Sequence, residues 1–153
     1  GISPEDAQMK IDQYKATYPA VSQFFAEAVA ETAQSGYAFT LLGRRRNVTE
    51  ISSHRRDERA RGERMAINTQ IQGSAADVCK MAQIRLMNFG LEARYGCKML
   101  LQIHDELVFE CPKETTKEAL ADIKELMEHP FTTDLAVHLA VDTGHGSSWG
   151  AAK

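Results

Sequence analysis

The chain contains 153 residues, of which 43% are hydrophobic and 25% are charged, and its formal net charge at pH 7 is −3. These values are close to the averages for soluble globular proteins and exclude disordered, collagen-like and low-complexity chains. No apolar run approaches the roughly 18 residues of a membrane-spanning helix, and the polar N-terminal segment does not resemble a signal peptide.

The three cysteines, Cys79, Cys97 and Cys111, include no CxxC pair. We therefore expect neither a disulfide framework nor a cysteine zinc site, and the simpler interpretation is a reducing, intracellular compartment. The chain opens on Gly1 and not on Met, so we also expect it to be a piece of a longer protein.

Positive charge is concentrated in residues 44–64, which hold eight arginines and four acidic side chains. Such a segment favours local binding of a polyanion. An exposed helix with many ion pairs has the same pattern, so charge alone does not separate the two interpretations.

The first part of the chain is predicted to be helical. Ser3 and Pro4 are typical of a helix start, and this helix is expected to run to about Thr17. Pro19 is expected to open a second helix, which Gly36 ends.

A short strand and an arginine-rich helix are predicted next. Residues 37–42 are rich in strand formers, Gly43 then turns the chain, and residues 47–54 are predicted to be a loop. The helix is expected from about Arg55, with an interruption or bend at residues 71–74, because a glycine inside a helix is unfavourable.

The remaining elements mix helix and strand. Ser74 is expected to restart the helix, and two apolar runs between Cys97 and Cys111 predict a hairpin. A helix over residues 113–127 and a last strand over residues 135–141 follow. Helices followed by mixed strands and helices indicate an α+β fold.

The His104-Asp105-Glu106 triplet lies at the predicted hairpin turn, where its carboxylates could bind Mg²⁺, a cation that prefers oxygen ligands. Neighbouring strand side chains point to opposite faces, but a turn relaxes that restriction. One turn supplies too few ligands, so a metal site would need another carboxylate from elsewhere. The alternative is an ordinary polar turn.

Two further groups of side chains could contact nucleic acid. Arg64, Asn68 and Gln72 are spaced by four, which places them on one helix face with hydrogen-bonding groups suited to a groove. The arginines at residues 44–46 are candidate phosphate contacts. For both groups the alternative is a plain solvated surface.

Five segments carry motifs of one protein family. They are Thr-Leu-Leu-Gly-Arg-Arg-Arg at 40–46, Glu-Arg-Met-Ala-Ile-Asn at 63–68, Ile-Gln-Gly-Ser-Ala-Ala-Asp at 71–77, Leu-Leu-Gln-Ile-His-Asp-Glu-Leu-Val at 100–108, and Val-Asp-Thr-Gly-His-Gly-Ser-Ser-Trp at 141–149. Together they resemble the C-terminal part of a family A DNA polymerase of the bacterial DNA polymerase I type, from the end of the fingers through the palm. Agreement across several independent segments favours this interpretation over the polar turn and the plain helix.

The resemblance implies a catalytic role for the hairpin turn. Asp105 is similar to the palm aspartate that ligates the catalytic Mg²⁺ ions, and Glu106 to its neighbour, which has a more supporting role. His104 and Gln102 are similar to residues near the primer terminus. The implied cofactor is Mg²⁺ in a two-metal site that a carboxylate outside this chain completes.

The resemblance also implies DNA contacts. Arg64, Asn68 and Gln72 match the polar helix face that contacts the primer–template duplex, largely through the minor groove. The arginines that resemble template-backbone contacts are Arg44, Arg45 and Arg46.

The implied fold is a palm portion, an antiparallel β-sheet with helices packed on it, preceded by a helical segment. Residues 1–36 are predicted to be the helical segment that continues from the fingers. Residues 37–153 are predicted to be the palm portion with the His-Asp-Glu hairpin.

The predicted function is that of the C-terminal segment of a template-directed DNA polymerase, a nucleotidyltransferase. The implied partners are primer–template DNA, deoxynucleoside triphosphates and the rest of the polymerase, with no membrane, in the cytoplasm of a bacterial or phage-infected cell. The family's other metal-binding aspartate motif and its nucleotide-binding fingers helix do not occur in this sequence. We therefore expect the chain alone to be inactive.

Several alternatives stay open at this point. The chain could be a fragment of one polymerase, a subunit of a split polymerase, or a degenerate relic. From other functional classes, the rivals are a non-catalytic nucleic-acid-binding module and, less favoured, a Mg²⁺-dependent nuclease that uses Asp105 and Glu106.

Overall fold

The computed structural model describes residues 1–133 and 135–152. Contacts group the chain into two compact units, residues 1–74 and a second unit that begins at Ala75. Both units combine helices with a two-stranded antiparallel sheet, so the predicted α+β class is confirmed. The predicted boundary at residue 36 separates segments by their expected function and not by compactness. The two compact units therefore do not test it, and it stays a prediction.

The predicted elements of the first unit occur in the predicted order, and a second strand and a 3₁₀ turn occur in addition. In chain order, the elements are α1 (Pro4–Thr17), α2 (Pro19–Ser35), β1 (Tyr37–Phe39), β2 (Arg45–Asn47), a 3₁₀ turn (Thr49–Ser52), α3 (Arg56–Asn68) and a π-helical segment (Thr69–Gly73).

The predicted caps of the first two helices are confirmed. The Ser3 side chain accepts a hydrogen bond from the backbone N–H of Asp6 at 3.1 Å, which satisfies one donor at the start of α1. Gly36 ends α2 with a φ of 77°, a left-handed conformation that costs glycine little.

The strands β1 and β2 form a hairpin in which Ala38 lies opposite Arg46. The first strand is shorter than predicted, and no strand was predicted for its partner, of which only the last residue, Asn47, falls in the predicted loop. The loop between them closes through hydrogen bonds from Thr40 N to Arg44 O at 3.0 Å and from Gly43 N to Thr40 O at 2.9 Å. Sequence patterning missed β2 because its three residues are all exposed and show no alternation.

The core of the first unit lies between this hairpin, the 3₁₀ turn and α3. Its buried apolar residues are Ala38, Val48, Ile51 and Ala66. Gly62 allows α3 to approach the 3₁₀ turn closely, because a Cβ atom there would lie 2.5 Å from the backbone nitrogen of Ile51.

The predicted interruption after α3 is a π-helical segment and begins two residues earlier than expected. Two side-chain hydroxyls donate hydrogen bonds to preceding carbonyls where the helix type changes. Thr69 donates to the carbonyl of Met65 at 2.7 Å, and Ser74 donates to the carbonyl of Gln70. Such bonds to preceding carbonyls compete with the regular helical pattern.

The second unit contains most of α4 (Ser74–Phe89), followed by α5 (Leu91–Tyr95), β3 (Lys98–Ile103), β4 (Glu106–Glu110), α6 (Thr116–Glu128) and a 3₁₀ turn (Trp149–Ala151). Its core is formed by α4, α5, the start of the hairpin and α6. The buried members are Leu86, Leu91, Cys97, Ala119 and Ile123. The predicted hairpin and the helix after it are both confirmed.

Cys97 and Cys111 form a disulfide bond, contrary to the expectation of free thiols. Near the turn Ile103 faces Glu106, and this register without interruption would place Lys98 opposite Cys111. A β-bulge between Met99 and Leu101 adds one residue to β3 and shifts the register. Lys98 therefore faces Glu110, and the two cysteines meet as the next pair.

The predicted last strand over residues 135–141 is not formed. This segment has no regular secondary structure, and within the described part of the chain β3 and β4 pair only with each other. A strand needs a hydrogen-bonded neighbour, which alternating apolar residues do not provide by themselves. Here the N–H of Val141 instead donates to the side chain of Glu128 at 3.1 Å.

Among the described residues, no helix combines the length and apolar character that crossing a membrane requires.

Candidate metal and nucleic-acid site

A two-residue turn presents the candidate metal ligand. Ile103 and Glu106 are the last facing pair of the β3–β4 hairpin, so His104 and Asp105 form the connection. His104 has a φ of 55° and is the one non-glycine residue with a positive φ among those described. Two-residue hairpin turns need a positive φ at their first residue, which explains this conformation. The turn therefore leaves the Asp105 side chain exposed at the tip of the hairpin.

Glu106 begins β4 and is held from outside the hairpin. The indole Nε1 of Trp149 donates to its Oε1 at 3.0 Å. One oxygen of the Glu106 carboxylate therefore accepts a hydrogen bond from a neutral side chain of the same unit. Asp105, by contrast, lies in the turn. The two neighbouring acids therefore have different environments.

The Gln102 amide connects the turn to α4. Its Nε2 donates to the carbonyl of His104 at 3.1 Å and to the sulfur of Cys79 at 3.3 Å. Its Oε1 accepts a hydrogen bond from Nε2 of Gln83 at 2.7 Å. Cys79 and Gln83 lie one helical turn apart, so a single face of α4 supports the hairpin.

The turn carries donor chemistry that suits Mg²⁺. Asp105 and Glu106 offer exposed carboxylate oxygens, which this cation prefers. Within residues 1–133 and 135–152, no three acidic, histidine or cysteine side chains are grouped closely enough to hold a metal ion. The two carboxylates fit Mg²⁺ by their chemistry and are by themselves too few for a complete ligand set.

The predicted polar row in the first unit is exposed throughout. Arg64 and Asn68 lie on α3, whereas Gln72 lies in the π-helical segment. All three side chains are exposed. A π-helical turn contains more residues than an α-helical one, so Gln72 does not continue the row with ideal α-helical geometry.

The three consecutive arginines have different local contacts. Arg44 donates from Nη2 to the carbonyl of Gly73 at 3.0 Å and so ties the β1–β2 loop to the π-helical segment. The guanidinium carbon of Arg45 lies 5.1 Å from the ring centroid of Tyr37, a cation–π contact. Arg46 is an exposed residue of β2.

The candidate residues thus occur as two groups. Gln102, His104, Asp105 and Glu106 share the hairpin of the second unit. The candidate DNA contacts, at residues 44–46 and in the polar row, belong to the first unit.

Sequence reasoning missed Gln83 and Trp149. Trp149 is 43 residues away from the glutamate it contacts, and Gln83 is 19 residues away from Gln102. No local motif signals such pairs, because helix packing and the path of the C-terminal segment bring them together.

Comparisons with known proteins agree with these motifs. A sequence profile of DNA polymerase family A matches residues 1–151. DNA polymerase I of Bacillus caldotenax is 43% identical over 152 residues, and DNA polymerase I of Treponema pallidum is 42% identical over 151 residues. These matches cover 99% and 97% of this chain but only 17% and 15% of the two relatives.

A solved structure extends the likeness to the backbone. It is described as the POL domain of Pol1 from M. smegmatis in complex with a DNA primer-template and dNTP. It superposes with a TM-score of 0.90 at 38% identity, covering 99% of this chain and 26% of that one. A family profile along nearly the whole sequence and a shared backbone lead to one assignment: the chain belongs to DNA polymerase family A.

Proposed function

We propose that this chain acts as the C-terminal segment of a template-directed DNA polymerase. The observation that supports this most strongly is the exposed Asp105 on its two-residue turn, within a chain whose relatives are named DNA polymerase I. The chain spans about a sixth of the length of those relatives. Its proposed partners are the rest of the polymerase, primer–template DNA and deoxynucleoside triphosphates, in the bacterial cytoplasm.

Asp105 is the residue that would hold Mg²⁺, with Glu106 in a supporting position. Bound Mg²⁺ would lower the pKa of the primer 3′-hydroxyl and neutralise charge on the transferring phosphoryl group. The hydrogen bond from Trp149 gives Glu106 a fixed orientation next to Asp105. The remaining ligands belong to the rest of the polymerase, so we expect the isolated chain not to extend a primer.

The polar row would contact the duplex near the primer end. The exposed Arg64, Asn68 and Gln72 carry hydrogen-bond donors. Minor-groove acceptors are alike in all correct base pairs, so such donors would sense pair geometry without reading sequence. Arg45 and Arg46 would contact template phosphates, while Arg44 would also keep its loop in place through Gly73.

Replacement of Asp105 by Asn in the complete polymerase tests this proposal. The substitution keeps the size of the side chain and a residue type that turns tolerate, but removes the charge. We expect primer extension to fall at least about a thousandfold, since metal stabilisation of the transition state supplies several kcal/mol.

The matched control is Asp12→Asn on α1, an exposed carboxylate that accepts a hydrogen bond from Gln8 at 2.9 Å. We expect it to leave extension unchanged. Normal activity of the Asp105→Asn polymerase would refute the catalytic role and favour a module that only binds nucleic acid.

A further inference from the structure

The carbonyl of His104 lies in the turn that presents Asp105, and the side chain of Gln102 donates to it. Because His104 is a non-glycine residue with a φ of 55°, its backbone occupies a conformation that surrounding contacts must maintain. The bond from Gln102 Nε2 to this carbonyl, at 3.1 Å, is such a contact. The Gln102 amide thus contributes a contact to the turn that presents Asp105.

The Gln102 amide has two orientations that differ by exchange of oxygen and nitrogen. In the observed one, Nε2 faces two acceptors, the carbonyl of His104 and the sulfur of Cys79. Oε1 faces the donating Nε2 of Gln83 at 2.7 Å. The exchanged orientation would place two N–H₂ groups against each other and two oxygens against each other, which is repulsive. The donor on Gln83 therefore favours the observed orientation, together with the two acceptors on the other side of the amide.

Gln83 is itself fixed by a rigid element. It is half-buried on the helix α4, and its Nε2 also approaches the sulfur of Cys79 at 3.7 Å. Cys79 contacts both amides, so the three side chains form one connected group between α4 and the hairpin. Through these contacts, the position of α4 affects the position of the turn.

We propose that Gln83 is a positioning residue for Asp105. It acts through Gln102, whose amide it orients, and through the His104 carbonyl that this amide holds. This inference rests on the proposed metal-binding role of Asp105 and adds to it a residue that no motif of the sequence analysis included.

The test uses the complete polymerase with Gln83→Met, which keeps the length of the side chain and removes its donor. Binding of Mn²⁺ is measured by electron paramagnetic resonance of the free ion, with a dideoxy-terminated primer–template and nucleotide present. We expect the Mn²⁺ dissociation constant to rise about tenfold, as for loss of an outer-shell partner of a metal ligand. In single-turnover extension we expect a slower step and a higher Mg²⁺ requirement, with an unchanged apparent KM for nucleotide.

Two further variants separate positioning from general support of the fold. Gln83→Glu places an acceptor against Oε1 of Gln102, so its effect should equal or exceed that of Gln83→Met. In a Gln102→Met background, Gln83→Met should add little, because the intermediary is already absent. The matched control is the same substitution at Gln34, an exposed position of α2, which should leave Mn²⁺ binding unchanged.

The inference is overturned if Gln83→Met binds Mn²⁺ like the Gln34→Met control, or if its effect is fully additive with that of Gln102→Met. Asp105→Asn distinguishes this failure from failure of the proposed function. Normal Mn²⁺ binding and extension by Asp105→Asn would refute both, whereas their loss beside a silent Gln83→Met would refute the positioning role alone.

Discussion

Single hydrogen bonds determine the properties of several side chains in the second unit, and Tyr95 shows this outside the candidate site. The hydroxyl of Tyr95 donates to Asp122 on α6 at 2.5 Å. This hydrogen bond is the main reason why the pKa of Tyr95 is raised above its usual value of 10.0, with desolvation as a second cause. The bond joins the end of α5 to α6.

The raised pKa of Tyr95 leads to a pH-dependent effect on stability. Because the folded protein holds the Tyr95 proton more tightly than the unfolded chain, the contribution of this bond is fully present below pH 10 and is lost as pH rises through the folded pKa. Thermal unfolding of the polymerase and of its Tyr95→Phe variant should therefore differ at pH 8 and converge above pH 10.

Absorbance at 295 nm provides a second measurement of the same effect. The difference between the titration curves of the polymerase and its Tyr95→Phe variant should have a midpoint above the usual tyrosine value. A midpoint at or below that value would contradict the assigned hydrogen bond.

At this scale, sequence patterns could predict that His104 and Asp105 lie in the turn, but not that Glu106 already begins β4 or which contacts hold these residues. The alternation around His104-Asp105-Glu106 indicates a hairpin, so the exposure of Asp105 could be predicted. The contacts from Gln83 and Trp149 depend on packing between segments far apart in sequence, which local periodicity does not report.

At the scale of secondary-structure elements, the β3–β4 hairpin shows how one extra residue in a strand allows a disulfide bond to form. The hairpin predicted between Cys97 and Cys111 is confirmed, with strands from Lys98 to Glu110, but no disulfide was expected. A hairpin with regular register would not pair them. The bulge at Leu100 brings them together, and apolar patterning alone does not reveal a bulge.

Peptide mapping of the polymerase, alkylated without reductant, tests the disulfide. We expect alkylation at Cys79 and a linked peptide pair that contains Cys97 and Cys111. Closing a loop of this size stabilises a fold by about 3 kcal/mol in the chain-entropy model. Reductant should therefore increase hydrogen exchange in residues 98–110.

The control for the disulfide is Cys97→Ser, in which reductant should have no effect on exchange in the hairpin. Full alkylation of all three cysteines without reductant, together with exchange that does not respond to it, would show that the hairpin contains two thiols.

At the scale of the whole molecule, several independent motifs in order along the chain were sufficient to predict the family and the α+β class. The strand predicted at residues 135–141 was wrong because strand formation depends on a pairing partner. The motif resemblance therefore predicted the family correctly, whereas the apolar pattern of residues 135–141 predicted a strand that does not form. The roles assigned to individual DNA-contacting residues stay predictions.

The salt dependence of DNA binding tests the proposed phosphate contacts. Each neutralised phosphate contributes about −0.9 to the slope of log affinity against log salt concentration. Replacement of Arg45 and Arg46 by Gln should therefore make the slope of the polymerase shallower by about 1.8, if each contacts one phosphate.

The matched control for the arginine test is Lys113→Gln with Lys117→Gln. It removes the same net charge from exposed positions in the second unit. An identical slope for the arginine variant and the control would exclude residues 45 and 46 from the DNA contact.

The hairpin turn is proposed to supply a metal ligand to a polymerase active site. The most direct measurement is anomalous X-ray diffraction from the complete polymerase crystallised with primer–template, nucleotide and Mn²⁺ in place of Mg²⁺. We expect a manganese peak within coordination distance of a carboxylate oxygen of Asp105. An ordered ternary complex in which every manganese ion binds other carboxylates, with Asp105 outside the coordination sphere, would contradict the claim.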